Sequence, residues 1–390
     1  MKPEKLLPYQ GSKALKLGVF SFFSGAGLLD LAFEDSGFET LAMNELSESF
    51  SKAYFYARER LERPLPTFGG KICTVDWFLE KDGQSWLAAK VAEARTNGFS
   101  VGFIGGPPCP DFSVGGKNRG RHGDNGRLSE TYIDVICARR PDWFLFENVK
   151  GLWRTAKHRA FFEHLKNMLR SHGYQLSDKL LNSIQFGVPQ DRDRIFLFGV
   201  LDHKAPTTAA KKQSFKYPPL EIEWEECAKY KAREAFDYPW PQASPFGAAL
   251  EKLSVPSDLT VAYWFKKNKV ETHPNATNYF KPRAGLSKFQ VISEGDDSKK
   301  SFKRLHRSRY SPTVCYGNNE VHLHPSLPRR ISVAEALALQ SMPRSFVLPP
   351  NMTLSAMFKT IGNGVPYLLG KGVARVISNY LTRNGTLHEH

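Results

Sequence analysis

The stretch FIGGPPCPDFSVGG, residues 103–116, holds Cys109 between Pro107-Pro108 and Pro110, directly after a short apolar run. Glycines allow the turn there, and prolines fix φ on either side of the thiol. A structural cysteine needs no such loop. A nucleophilic thiolate does need a stiff, polar seat at the carboxyl end of a strand, where ligands of α/β sheets bind. A second reactive group ends another apolar run, FLFENV, where Glu147 precedes Asn148. A carboxylate closing a buried strand is costly unless paired, so Glu147 should meet a cation or a ligand nitrogen. The cation can come from FGVPQDRDRIFLFG, where Arg192 and Arg194 alternate and so point to one side of an extended segment. The competing reading of these arginines is a structural ion pair at a sheet edge.

A third constellation is FFSGAGLLD, in which a strand ends at Phe23 and a glycine turn, Ser24 to Gly27, opens a helix. Such a turn lets a nucleotide-like ligand approach the backbone at a helix N-terminus. Asn44-Glu45 follows at the end of the next apolar run, about twenty positions on, where an acidic residue can bind ribose hydroxyls. Together they point to an adenosine-containing cofactor, with nicotinamide and S-adenosylmethionine both open at this stage. His322 and His324 alternate along one segment but have no third ligand nearby, so they read as structural and no metal is expected.

These groups need a scaffold. From about residue 15 to 200, apolar runs of strand length (LGVFSFF, ETLAMNE, VGFIGG, WFLFENV, RIFLFGV) alternate with stretches of helical periodicity. That alternation predicts an α/β fold: a Rossmann-like, mainly parallel sheet covered on both faces. Gly37 and Gly173 each follow a periodic stretch, as helix-ending glycines do. Residues 201–330 lose this period and read as a smaller, irregular, loop-rich domain, whereas 331–390 return to helical periodicity and close back on the first part, residues 1–200.

Composition narrows the partners. The chain of 390 residues carries a formal net charge of +15, an excess that favours a polyanion such as nucleic acid. No long uncharged apolar run suggests a membrane span, and the opening MKPEKLLPYQGSK has no apolar core before a cleavage site. A cytoplasmic protein with no membrane contact is therefore expected. Five widely spaced cysteines without a C-x-x-C pair argue against a disulfide framework and leave a working thiol as one use for them.

In their order along the chain, these stretches resemble the DNA cytosine-5 methyltransferase family, of the bacterial modification type. SGAG is similar to its cofactor glycine motif, NE to its ribose motif, and GGPPC with the following FS to its nucleophile loop. ENV is similar to its base-binding motif and Q-x-R-x-R to its arginine motif, while RRISVAEALALQSMP and IGNGVP resemble its closing segments. The resemblance implies the fold of S-adenosylmethionine-dependent methyltransferases and transfer of a methyl group to carbon 5 of a flipped-out cytosine in a specific duplex sequence. It implies Cys109 as the nucleophile, Glu147 as the group binding the base, and Arg192 and Arg194 as their supports. It further implies cofactor contacts from Phe23, Ser24, Gly25, Ala26, Gly27, Leu28, Asn44, Glu45, Leu46, Ile72, Pro107, Asn363 and Val365. The expected partner is double-stranded DNA, bound by a monomer. A cognate restriction endonuclease would act on the same site without stable contact.

Some positions depart from the family pattern. Pro110 replaces a glutamine common after the nucleophile, Lys71 an aspartate, Leu46 an aromatic residue, and Gly364 a small alanine or serine. Residues 201–330 fall where target recognition belongs. Between Lys266 and Arg309 there are 12 basic and 4 acidic residues, interleaved with Tyr279, Phe280, Phe289 and Phe302. Such a surface suits phosphate backbones. Candidate DNA contacts are Ser113, Gly115, Lys117, Gln190, Arg283, Arg304, Arg307 and Arg309. A tRNA cytosine-5 methyltransferase would share the chemistry, but the C-F-T-containing segment of that branch does not occur here. A catalytically silent DNA-binding regulator would not need Cys109, Glu147 and both arginines. A nicotinamide-dependent oxidoreductase would leave the same residues without roles.

Overall fold

The computed structural model describes residues 15–108, 124–203, 218–249, 254–282, 286–299, 301–314, 316 and 321–384. Cys109, Pro110, Ser113, Gly115, Lys117 and Arg283 lie outside the described residues. The apolar runs form β1 (Lys16–Phe22), β2 (Phe38–Asn44), β3 (Gly70–Lys71), β4 (Phe99–Gly105), β5 (Trp143–Val149), β6 (Tyr174–Asn182) and β7 (Asp193–Leu201). They make one seven-stranded sheet in the order β3-β2-β1-β4-β5-β7-β6. β1 to β5 are parallel, while β7 runs antiparallel to both β5 and β6. β6 has no continuous apolar run because it is an edge strand whose central Ser177-Asp178-Lys179 stays partly exposed; its sequence therefore carries a weak strand signal.

Helices α1 (Leu28–Glu34), α2 (Glu48–Arg60), α3 (Lys81–Thr96), α4 (Asp124–Arg139), α5 (Gly151–Arg154) and α6 (Ala156–Ser171) link the strands. Period-2 alternation sends successive strand residues to opposite faces. On one face Phe20, Phe22, Val101, Phe103, Phe144 and Phe146 pack with Leu87 and Val91 of α3, Ile133 and Ile136 of α4, and Leu165 of α6. Leu17, Val19, Ile104, Leu145 and Phe198 face the other way, toward Phe33 of α1. Each such fully buried side chain contributes roughly 1.5–3 kcal/mol of transfer free energy. The two faces therefore fix the sheet as a rigid platform.

After β7 come α7 (Ala232–Asp237), α8 (Val261–Lys267), α9 (Leu286–Val291), α10 (Val333–Leu339), α11 (Leu354–Asn363) and α12 (Tyr367–Arg383). Between residues 201 and 330 the described chain is held by short helices, turns and isolated bridges such as Gln190 to Ser311 and Arg304 to Leu323. Its buried apolar residues do not stand alone: Val261, Leu305, Val314 and Val321 share one cluster with Ala26, Leu28, Ala53, Ile331, Leu337 and Ile361. α10 starts with a capping box in which Ser332 and Glu335 satisfy each other's backbone donors. α12 returns to the sheet, where Leu369, Val373 and Ile377 join the core beside Phe33.

Because β1, β2, β4 and β5 are parallel, their carboxyl ends share one edge. The reversed β7 brings its first residues to that same edge, with Arg194 opposite Val149 and Phe196 opposite Glu147. The edge thus collects the glycine turn, Asn44 to Leu46, Gly105 to Pro108, Glu147 and Arg194.

Candidate active site

The glycine turn leaves β1 through three residues in the left-handed region: Phe23 at φ 55°, Gly25 at 57° and Gly27 at 86°. A non-glycine residue in this region is strained, and such strain concentrates at ligand sites. Gly27 has a second constraint, since a Cβ there would stand 2.9 Å from the Tyr54 ring. Ser24 N donates to Asn44 O at 3.0 Å, which ties the turn to β2. Glu45 then bridges the two loops: its Oε2 accepts from Gly25 N at 2.9 Å and its Oε1 from Ser47 N at 2.8 Å. Each carboxylate oxygen keeps a further lone-pair site for a ligand hydroxyl. Leu46 and Ile72, each just past an end of the paired strands β2 and β3, are 63% and 52% exposed, large apolar side chains open to solvent.

Asn44 has a different employment from its neighbours. It is buried, and its amide donates to Lys71 O at 3.0 Å and Cys73 O at 2.9 Å, so it holds the loop after β3 rather than facing the edge. Lys71 places its ammonium 4.7 Å from the Trp86 ring centroid, a cation–π contact. Ala26, Leu28, Pro107 and Val365 are buried in the walls, while Asn363, the last residue of α11, is exposed. Thr360 of the same helix was not singled out in the sequence. Its buried hydroxyl has no hydrogen-bond partner and would stand 3.6 Å from a Cβ on Gly25.

At the next strands Glu147 and Arg194 form an ion pair of 2.8 Å, Nε to Oε1, with both side chains almost fully enclosed. Burial pushes the Glu147 carboxyl above its ordinary range, while first Arg194 and then Arg192 pull it back. Oε2 of Glu147 lies against the backbone of the loop leaving β4, since a Cβ on Gly106 would stand 2.5 Å from it. That loop reaches Cys109 three residues later. Gly106→Ala should therefore displace the carboxylate while leaving the core intact. We expect turnover at least about tenfold slower, with stability lowered by about 1–3 kcal/mol, read from single-turnover rates beside urea unfolding.

Arg192 and Arg194 divide their work. Arg192 is buried and donates to Val314 O at 2.9 Å, Gly362 O at 2.5 Å and Gly364 O at 3.1 Å. It fastens the closing segment to the edge, and its charge lowers the Glu147 carboxyl by less than that of Arg194 does. Three of the expected DNA contacts are also engaged inside the protein. Gln190 is buried and donates to Leu339 O at 3.2 Å while its Oε1 accepts from Val314 N at 3.2 Å. Arg304 is 1% exposed and donates to the carbonyls of Ile292, His324, Leu327 and Phe289. Arg307 pairs with buried Glu294 at 2.9 Å. Counting charges along the chain does not distinguish such arginines from a phosphate-gripping surface. Arg309 stays half-buried over Tyr310, and Lys266, Lys267, Lys269, Lys281, Lys288 and Lys299 are exposed.

His322 and His324 are buried, and burial pushes them down to about 3 and about 4, as expected of neutral structural histidines. Among the described residues, no group of three or more His, Cys, Asp and Glu side chains is placed to hold a metal ion. No described helix is long and apolar enough to cross a membrane.

The arrangement has counterparts among known proteins. Residues 17–379 match the family model of C-5 cytosine-specific DNA methylases. The chain is 53% identical over 364 residues to the type II methyltransferase M.NmeDI of Neisseria meningitidis serogroup C, covering 93% of this chain and 84% of that one. It is 29% identical over 379 residues to the type II methyltransferase M.MthTI of Methanothermobacter thermautotrophicus, covering 94% and 98%. Its fold is like that of an E. coli prophage protein described as a DNA modification methyltransferase, with TM-score 0.60 and 21% identity over 94% of this chain and 99% of that one. The Dnmt2 methyltransferase of S. pombe is similar in fold at TM-score 0.57 and 15% identity, covering 95% and 100%. With its sheet, its glycine turn and its buried carboxylate in place, this chain belongs to the C-5 cytosine-specific DNA methylase family, of the type II restriction-modification kind.

Proposed function

We propose that the chain transfers a methyl group from S-adenosylmethionine to carbon 5 of a cytosine flipped out of duplex DNA at one short sequence, through a covalent adduct of Cys109. The observation that carries this reading is the enclosed Glu147–Arg194 pair at the edge from which the GGPPC loop departs. The cofactor fits the residues at the glycine turn. Glu45 offers acceptors for two ribose hydroxyls, Leu46 and Ile72 offer apolar surface for an adenine ring, and the orphaned Thr360 hydroxyl lies beside the space that Gly25 leaves open. When bound, S-adenosylmethionine supplies an electrophilic methyl group on a sulfonium.

Carbon 5 of cytosine is too weak a nucleophile to act unaided. Addition of the Cys109 sulfur to carbon 6 turns carbon 5 into an enamine-like centre. Glu147, which burial biases toward its protonated form, donates to ring nitrogen N3 as that atom gains electron density, and accepts from the exocyclic amine. Arg194 holds the carboxyl in register and reaches the ring oxygen, acting in a water-poor site where such contacts are strong. After methylation the carbon 5 proton is lost and the Cys109 sulfur is expelled, which restores the thiolate. Both ring faces must be open for this sequence, so the base leaves the stack. The exposed lysines between 266 and 299 grip phosphates, and side chains of the 201–330 region read the bases.

The decisive measurement is transfer of labelled methyl from S-adenosylmethionine to duplex DNA and to tRNA, with Cys109→Ser as control and base-resolution mapping of the product. The expected result is 5-methylcytosine in DNA at one short sequence, absent with the variant. Label on tRNA alone, or on DNA at undiminished rate with Cys109→Ser, would overturn the reading.

A further inference from the structure

A hydrogen-bond chain runs from the glycine turn to a buried acid that methyl transfer as described does not use. Ser24 Oγ donates to Ser21 Oγ at 2.9 Å, with the carbonyls of Ser21 and Asn44 each 3.2 Å away as alternative acceptors, and Ser21 Oγ donates to Asp30 Oδ1 at 2.7 Å. Asp30, on the inner face of α1, is 0% exposed and Ser21 is buried, but Ser24 is half-buried at the head of the turn. Four groups face the acid: Ser21 from β1, Glu34 from α1, and Tyr54 and Arg58 from α2. Glu34 is itself engaged, accepting from Arg58 at 2.7 Å and from Thr40 at 2.6 Å. Desolvation raises Asp30 to about 6, a rise opposed by Ser21, Tyr54 and Arg58 and assisted by Glu34.

We infer that Asp30 is a positioning residue that sets the proton direction along this chain and so presents Ser24 Oγ to the bound cofactor as an acceptor. An ionised carboxylate has no proton to give, so Ser21 must donate to it. The Ser21 oxygen then accepts from Ser24, and the remaining lone pairs of Ser24 are left for a donor such as the cofactor's ammonium. In a low-dielectric interior such a chain is cooperative, and its polarity is set by its buried end. A protonated Asp30 can donate to Ser21, which then donates to Ser24 and takes up a lone pair that the ligand would otherwise use, while the Ser24 proton turns to the carbonyl of Ser21 or Asn44. The inference rests on the proposed use of S-adenosylmethionine.

The test is calorimetric titration of S-adenosylhomocysteine into the full chain at about pH 7.5 and about pH 5.5, a span on both sides of the Asp30 carboxyl. Wild type is expected to bind about fivefold more weakly at the lower pH, the worth of one modest hydrogen bond. Asp30→Asn and Ser21→Ala should each bind about fivefold more weakly than wild type at the higher pH and show no step between the two. Thermal unfolding identifies which variants are folded, and Ser21→Ala decides the matter if Asp30→Asn is not. A folded variant that keeps the wild-type step, or a wild type that binds equally at both values, would overturn the inference. A wild type that binds at neither would instead overturn the cofactor reading.

Discussion

Glu147→Gln should slow methyl transfer by roughly a hundred- to ten-thousandfold, the usual span for a positioned acid–base group. The variant keeps the shape of the side chain but gives up its charge and its acidic proton. Removing one partner of a buried pair leaves Arg194 uncompensated, so some stability is lost as well, up to about 3–5 kcal/mol. The two effects separate by experiment: single-turnover rates on duplex DNA report the chemistry, while S-adenosylhomocysteine binding and urea unfolding report the scaffold. A folded Glu147→Gln protein turning over within about tenfold of wild type would remove Glu147 from the mechanism. Arg194→Ala supplies a second readout. The guanidinium is the stronger of two cations that pull the Glu147 carboxyl down, so its loss raises that carboxyl further. The limb where activity falls with rising pH then moves upward.

Arg192→Ala should act by another route. Its guanidinium joins β7 to the carbonyls of Val314, Gly362 and Gly364, segments separated from it by 122, 170 and 172 residues. Truncation orphans buried carbonyls and opens a cavity among them, at a cost of about 3–5 kcal/mol. The end of α11 beside Gly25 loses its anchor, so binding of S-adenosylhomocysteine should weaken by at least about tenfold. Urea unfolding and calorimetry check both numbers. Stability within about 0.5 kcal/mol of wild type would show that the closing segment does not depend on Arg192.

The glycine turn, Glu45 and the Glu147–Arg194 pair were legible in the sequence because each couples a local backbone rule to a residue type that is costly elsewhere. A carboxylate ending a run of buried apolar residues demands a partner, and an alternating arginine supplies one. The parallel sheet followed from strand runs that are apolar throughout. The antiparallel insertion of β7 and the short β3 did not, since neither direction nor a two-residue strand leaves a period. Arg192 and Arg194 read alike in sequence, and only the fold directs one to backbone carbonyls and the other to Glu147. Gln190, Arg304 and Arg307 lie in polar stretches, yet tertiary hydrogen bonds take them inside. Ser21, Asp30, Gly106 and Thr360 were passed over. Asp30 carried a signal all the same: an acid inside the apolar face of a short helix.

The bonds from Arg192 to Gly362 and Gly364 also have a meaning in time. During synthesis the glycine turn, Glu45, Glu147 and Arg194 leave the ribosome long before the residues that complete their edge. At roughly 5–20 residues per second, that delay is on the order of 10–40 seconds between Arg192 and Gly364. Throughout it Ala26, Leu28 and Ala53 lack the apolar partners that Ile331, Leu337 and Ile361 later provide. A nascent chain that has passed Arg192 therefore still lacks the carbonyls of Gly362 and Gly364 on which that guanidinium closes.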